Sequence, residues 1–364
     1  DRKPCGPTDS LCRSALLRLC SCTQALPMWT FRLASRALVL PAASPLAWDL
    51  SRRRRGGTEP ARGGDWNTRR RPLVACEEAP EGHRPVAVVG DVFVDVVAKV
   101  QSLPVWDADT EAEYVKVLPG GSALNQARHL RALGAGVRFF GARGGDAFGT
   151  ALATHVGGQG FSLEHVRIFP ELPTSVCLVL AGPADRAFVS CYSTTDAFGT
   201  ADLEARAEAL LGCRHLHIGG YFNLKGLQNP EFTALVQRCR AAGMTVSLNT
   251  QYDAGESWTG LGGHLRELLA LTDVLFVNGV EASRIAGALL PEHEGVDSLC
   301  RAFPKLTLVV TQGERGCQIL RDGMPALCMP TSPLETVVDA TGAGDAFLAG
   351  FLSLWLAPGR GAGA

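Results

Sequence analysis

The chain has 364 residues, 46% hydrophobic and 20% charged, with a formal net charge of −1. That is the composition of a soluble globular protein, long enough for one large domain or two ordinary ones. The near-zero charge hides an asymmetry, because residues 1–75 carry 14 Lys/Arg against 5 Asp/Glu and residues 76–364 carry 21 against 31. The split reads as a basic appendage on an acidic body.

Residues 1–84 show no strand or helix period and are rich in Arg, Pro, Gly, Ser and Trp, so they are expected to form a disordered basic extension. The runs Arg52–Arg55 and Arg69–Arg71 read as solvated chain rather than a nucleic-acid patch, and no nucleic-acid partner is expected. The first methionine is Met28; from there to Trp48 the chain carries Arg32 and Arg36 and no acid until Asp49. This stretch fits a mitochondrial transit peptide or a plain disordered leader. The 12 cysteines are scattered, with no CxxC pair or His/Cys cluster at zinc spacing. Free thiols in a reducing compartment are expected: the cytoplasm, or the mitochondrion if Met28 starts a transit peptide. No apolar run approaches the length of a membrane span, so no membrane contact is expected.

The body opens at residues 85–90 with a short apolar run that predicts a buried parallel strand, followed by Gly90-Asp91 and a passage to Asp95. Residues 103–118 hold an acidic stretch and then the alternation Tyr114-Val115-Lys116-Val117-Leu118, which predicts a strand with one wet face. Gly120 and Gly121 let the chain pass close to a ligand, and Asn125 falls in a helix predicted over 122–133. A strand follows at 137–141, then a helix capped by Asp146. Strand-like runs at 175–180 and 187–190 precede a helix over 202–211. In the strand 215–218, His215 and His217 share one face; with no third ligand nearby they read as core or sheet-face residues rather than a metal pair. Helices near 230–242 and 261–271 alternate with strands at 245–249, 274–277 and 306–311. Such alternation marks a parallel sheet covered by helices on both faces.

The segment from Val337 to Phe347 carries the chemistry. A β-branched run turns through Gly342 and Gly344 into an apolar helical pattern over 346–356. Backbone without a Cβ, unpaired helix N–H groups and the positive dipole end make an anion hole there, with Asp345 as a carboxylate at its lip. The dipole favours the ionised acid, so Asp345 is expected to be charged at neutral pH. An anion hole beside a lone carboxylate suits phosphoryl transfer, in which Asp345 takes the proton of an attacking hydroxyl.

This segment resembles the C-terminal signature of the ribokinase-like (PfkB) carbohydrate and nucleoside kinases, and residues 120–127 resemble that family's N-terminal signature. The resemblance implies a three-layer α/β/α sandwich over 85–364 with a mainly parallel central sheet and a small β-sheet lid at about 103–118. It implies ATP-dependent phosphorylation of a sugar hydroxyl, with a nucleoside kinase as the alternative. Asp345 is then the general base, and Gly342, Ala343 and Gly344 form the anion hole. Asp95, Gly120, Gly121 and Asn125 would hold the sugar; Asp95 as a solvated loop acid and Asn125 as a locally bonded helix residue are the plain alternatives. Thr311, Gly313 and Gly316, with Asn249, would approach the nucleotide. Asn278 and Glu281 match an Asn-x-x-Glu motif linked to magnesium, although the same four residues also read as a helix cap. Asp339 and Thr341 match positions of a monovalent-cation loop, so K⁺ joins ATP and Mg²⁺ as an implied cofactor. A homodimer through the lid is the implied assembly.

The resemblance covers about residues 85–356, whereas family members continue for several tens of residues past the catalytic aspartate. It therefore implies a truncated nucleotide cleft, and a catalytically idle member that only binds ligand or partner stands as the alternative function.

Overall fold

The computed structural model describes residues 84–183, 185–332 and 340–357. Residues 1–83 of the expected basic extension, the 28–48 stretch within them, and Asp339 lie outside the described residues, while Arg84 donates to the carbonyls of Leu211 and Gly212.

β1 (Val86–Gly90) is five consecutive buried residues, as an apolar run flanked by Pro and Gly-Asp should be. Two residues later the chain enters β2 (Phe93–Val100) and returns along β3 (Ala112–Gly120). The helix Ser122–Ala132, β4 (Val137–Phe140), β5 (Ala142–Gly144) and the helix Ala147–Gly157 follow. Asp146 caps the last of these, its Oδ1 accepting from Gly149 N at 2.9 Å. Next come β6 (Arg167–Phe169), β7 (Val176–Ala181) and β8 (Arg186–Cys191). The remaining strands are β9 (His215–Gly219), β10 (Thr245–Asn249), β11 (Val274–Asn278), β12 (Thr307–Thr311), β13 (Cys317–Leu320) and β14 (Leu327–Met329). The last helix, Ala343–Trp355, begins three residues before the apolar period does, because Gly342 in a left-handed conformation starts it.

The central sheet runs β14-β13-β12-β11-β10-β9-β1-β4. Its strands from β12 to β4 pair in parallel, and β13 and β14 close one edge as an antiparallel hairpin. Alternate side chains face opposite layers. Val86 and Val88 pack with Ala123, Leu124, Leu348 and Leu352, while Ala87 and Val89 pack with Leu216, Ile218, Leu235 and Ile285. The result is the three-layer α/β/α sandwich expected.

Two expectations need correction. The helix expected over 202–211 is two short ones, Thr200–Glu204 and Ala207–Leu211, broken at Ala205–Arg206. The small sheet, expected as a lid at about 103–118, has four strands ordered β3-β2-β7-β8, while residues 101–111 form the connection between β2 and β3. Local pattern cannot reveal this, because the β2–β7 pairing joins Val94 to Val176 across about 80 residues.

Candidate active site

Every parallel strand that shapes the site ends on the same edge of the sheet, and the functional side chains sit just beyond those ends. Asp91 follows β1, Asn223 follows β9, Asn249 ends β10, Asn278 ends β11 and Thr311 ends β12. Above this edge the helices Ser122–Ala132 and Ala343–Trp355 lie side by side with their N-termini at the site.

Asp345 stands in the first turn of its helix, within a nest of donors from the facing helix. Ser122 Oγ donates to its Oδ1 at 2.7 Å, Gln126 Nε2 donates to Oδ1 at 2.9 Å, and Asn125 Nδ2 donates to Oδ2 at 3.3 Å. These donors favour the anion, yet burial outweighs them and pushes the Asp345 carboxyl up to about 7, with Asp91 adding repulsion. The expectation that the helix dipole keeps it fully charged at neutral pH is therefore corrected. The carboxyl is poised near neutrality, where a general base works best.

Two clefts lie beside each other here, with Gln251 lining both. One, about 210 Å³, is lined by Asp345, Gly344, Gln126, Asn249, Gln251, Asn278, Glu281, Thr311 and Phe347 among others. The other, about 140 Å³, is lined by Phe93, Asp95, Cys177 and Ser190 of the four-stranded sheet together with Asp91, Gly121, Ser122, Tyr192, Asn223 and Gln251.

The second cleft holds two acids. Asp95 is not a loop acid; it sits within β2, opposite Leu118 of β3 and Cys177 of β7. Burial, reinforced by Asp91 and Asp345, pushes its carboxyl up to about 7. Asp91 is 2% exposed and accepts from Ala123 N at 2.8 Å and Asn223 Nδ2 at 2.9 Å. Burial raises its carboxyl above the usual range as well.

Sequence reading passes over Asp91, because a lone acid after a glycine carries no local signal. It passes over Gln251 too, which lines both clefts and donates from Nε2 to Ser122 Oγ at 2.8 Å and Asn249 Oδ1 at 2.9 Å. Its φ of 61° is uncommon for a non-glycine residue, a strain that recurs at functional sites.

The other expected residues divide. Gly120 packs against Asp95, where an added Cβ would stand 2.1 Å from Oδ1. Ala343 N donates to Ala340 O at 3.2 Å, so this amide of the expected anion hole is engaged in the turn. Gly344 faces open space, with no atom within 4 Å of the position a Cβ would take. Gly313 and Gly316 form the turn between β12 and β13, outside the residues that line the cleft. Gly316 is there because a Cβ would strike Met329 O at 2.0 Å. Thr341 accepts from Arg186 of the lid, Nη1 to Oγ1, at 2.7 Å.

Asn278 and Glu281 form a reciprocal helix cap. Asn278 Oδ1 accepts from the N–H groups of Val280 and Glu281, while Glu281 accepts from Asn278 N at 3.0 Å and Nδ2 at 2.7 Å. Among the described residues no group of three or more His, Cys, Asp or Glu is arranged to hold a metal ion. Glu281 is a single hard oxygen donor on the cleft it shares with Asp345, which fits a magnesium ion that keeps waters and phosphate oxygens as its other ligands.

Comparison with known proteins identifies the family and the fold. A family model described as "pfkB family carbohydrate kinase" matches residues 84–363. The chain is 29% identical over 276 residues to the ATP-dependent ribose-1-phosphate kinase of Halopiger xanaduensis, covering 75% of this chain and 86% of that protein. It is 30% identical over 273 residues to the bifunctional protein HldE of Azotobacter vinelandii, covering 72% of this chain and 53% of that one, so it spans about half of that relative. In structure it resembles Arabidopsis thaliana ribokinase complexed with ribose and ATP, with a TM-score of 0.60, 23% identity and coverage of 74% and 85% of the two chains. That likeness shows the fold.

Proposed function

Since the chain belongs to the pfkB family of carbohydrate kinases, we propose that it transfers the γ-phosphoryl group of ATP to a hydroxyl of an uncharged sugar, with Asp345 as general base. The observation that carries this reading is that Asp345, on the Glu281-lined cleft, is hydrogen-bonded by Ser122, which lines the neighbouring acid-lined cleft.

The acid-lined cleft takes the sugar. Asp91 and Asp95 accept from hydroxyl groups, and Asn223, Ser190 and Tyr192 add polar partners on the same wall. Two carboxylates repel an anionic substituent, so free sugars are favoured over sugar phosphates. Asn125, whose amide points at Asp345, supports the acceptor hydroxyl from the helix side. Nucleoside acceptors form a second reading, because Phe93 and Tyr192 line this cleft as an edge-to-face pair with centroids 5.5 Å apart. Such aromatic surface suits a base as well as a sugar ring.

The other cleft takes the phosphate end of ATP. Asp345, deprotonated, removes the proton from the acceptor hydroxyl as its oxygen bonds to the γ-phosphorus. The bond from that phosphorus to the β–γ bridging oxygen breaks, and ADP leaves with the electron pair. First-turn N–H groups of the Ala343–Trp355 helix other than that of Ala343, which is bonded to Ala340 O, would face the transferring oxygens across the open side of Gly344. Glu281 would hold Mg²⁺, which neutralises phosphate charge. Asn249 and Thr311 shape the floor of that cleft.

Asp345→Asn tests the assignment, since it keeps size and removes the base. Turnover with ATP should fall by on the order of 10²–10⁴, with sugar-induced thermal stabilisation retained. Turnover above about a tenth of wild type would refute the general base. A panel of free sugars, sugar phosphates and nucleosides, scored by ADP release, distinguishes the acceptor classes.

A further inference from the structure

His215 and His217 line neither cleft, but both are fully buried beneath the two helices that build the site. The hydrogen bonds around them form one continuous chain. Thr245 Oγ1 meets His215 Nδ1 at 2.8 Å, His215 Nε2 meets Ser247 Oγ at 2.8 Å, and Ser247 Oγ meets His217 Nδ1 at 2.7 Å. His217 Nε2 then meets Gln126 Oε1 at 2.7 Å, and Gln126 Nε2 reaches Asp345 Oδ1 at 2.9 Å. The close approach at the helix depends on Gly219, where a Cβ would stand 2.6 Å from Gln126 Oε1.

The direction of every donor follows from the Asp345 end. Gln126 Nε2 faces the acceptors Asp345 Oδ1, Asn249 Oδ1 and Ser122 Oγ, so its oxygen must face His217. An oxygen there only accepts, which makes His217 the Nε2–H tautomer with a free lone pair on Nδ1. Ser247 must then give its single O–H to His217 Nδ1 and accept from His215 Nε2–H. That leaves His215 Nδ1 to accept from Thr245. Burial holds both imidazoles neutral, pushing the His217 ring down to about 3 and His215 well below its ordinary range.

Resting on the reading of Asp345 as the base, we propose that His217, held by Ser247, is a positioning residue that locks the Gln126 amide with its N–H groups on the Asp345 carboxylate. Every dipole in the chain points its positive end at Asp345, so the chain favours the anion that accepts the hydroxyl proton. A reversed amide would set its oxygen against the Asp345 carboxylate and Asn249 Oδ1, and would require every imidazole and hydroxyl in the chain to reverse its donor role. The chain carries no proton, since an amide stands between imidazole and acid. The other groups that face Asp345 are the carboxyls of Asp91 and Asp95, with Glu281 on the same cleft; Arg214 lies beside His215 at the far end.

The tests separate this lock from the kinase reading. In the wild-type protein, ¹⁵N spectra of the imidazoles should show both histidines as the Nε2–H tautomer between pH 5 and 9. An Nδ1–H tautomer at His217 overturns the proposal whatever the activity. The Asp345 carboxyl, followed by ¹³C titration against Asp345→Asn, should move upward by about one pH unit in His217→Leu, because the Gln126 amide that donates to it loses the partner holding its orientation. The rise of kcat/KM with pH should move with it. His217→Gln, which has similar reach and an N–H end, should restore the wild-type titration. Ser247→Ala removes one oxygen, keeps the test available if the leucine variant does not fold, and should shift the titration in the same direction by a smaller amount. An unchanged Asp345 titration in folded His217→Leu or in Ser247→Ala overturns the lock. If instead the titration shifts while Asp345→Asn keeps its turnover, the lock stands and the kinase base is reassigned.

Discussion

Gly120 and Asp95 are diagonal neighbours on the β2–β3 ladder, so close that any side chain on Gly120 would occupy the place of the Asp95 carboxyl, 2.1 Å from Oδ1. Gly120→Ala must therefore displace Asp95, at a cost of about 1–3 kcal/mol of overpacking. The acceptor KM should rise more than kcat falls. In an Asp95→Ala background the same change should be nearly neutral in urea unfolding, because the clash is gone. Equal costs in both backgrounds would show that Gly120 serves the strand and not the acid.

Asp95 should also make the protein less stable as pH rises. Its folded carboxyl lies at about 7 against an ordinary 3.8. A raised folded value contributes stability that is complete below 3.8 and lost as pH climbs through 7. Asp95→Asn, which has no charge to bury, should gain about 1–3 kcal/mol over wild type at pH 8 and little at pH 4. Thermal unfolding of both proteins across that range checks it; a difference independent of pH would mean that Asp95 titrates normally.

Glu281→Gln separates the helix cap from the cation site. Glutamine completes a capping box as glutamate does, so Tm should hold. The Mg²⁺ concentration for half-maximal turnover should rise about tenfold or more. An unaltered Mg²⁺ dependence would leave Glu281 a cap alone.

Asp146 offers a control outside the site. It caps the Ala147–Gly157 helix and also accepts from Thr174 N at 3.0 Å and Thr174 Oγ1 at 2.5 Å. Asp146→Ala should cost about 1–2 kcal/mol in urea unfolding, with kcat/KM unchanged at temperatures where the variant stays folded. A loss of activity without loss of stability would tie this turn to the lid.

The central strands are legible in the sequence because each is a short apolar run stopped by Gly, Asn or Thr, and β10 matches its expected bounds of 245–249. Asp345 and the helix of Asn125 are legible because glycines at helix starts mark anion-binding turns whatever the neighbours. Asp91 is not, since only the meeting of β1, Asn223 and the Ser122–Ala132 helix gives it partners. Strand alternation puts His215 and His217 on one face, but what covers that face depends on helices 90 or more residues away in sequence. The raised carboxyls are equally non-local: a helix-start dipole is visible in the sequence, while the packing that opposes it is not.

The acid-lined cleft has walls from two different sheets. Phe93, Asp95, Cys177 and Ser190 come from the lid, and Asp91, Ser122, Asn223 and Gln251 from the catalytic edge. A sugar in that cleft would be a strut between two sheets that are otherwise linked by short connections such as Asp91-Val92, Gly121 and Tyr192. Binding and stiffening are then one event: amide exchange in β2, β3, β7 and β8 should slow when sugar is added, in proportion to its occupancy, without ATP being present.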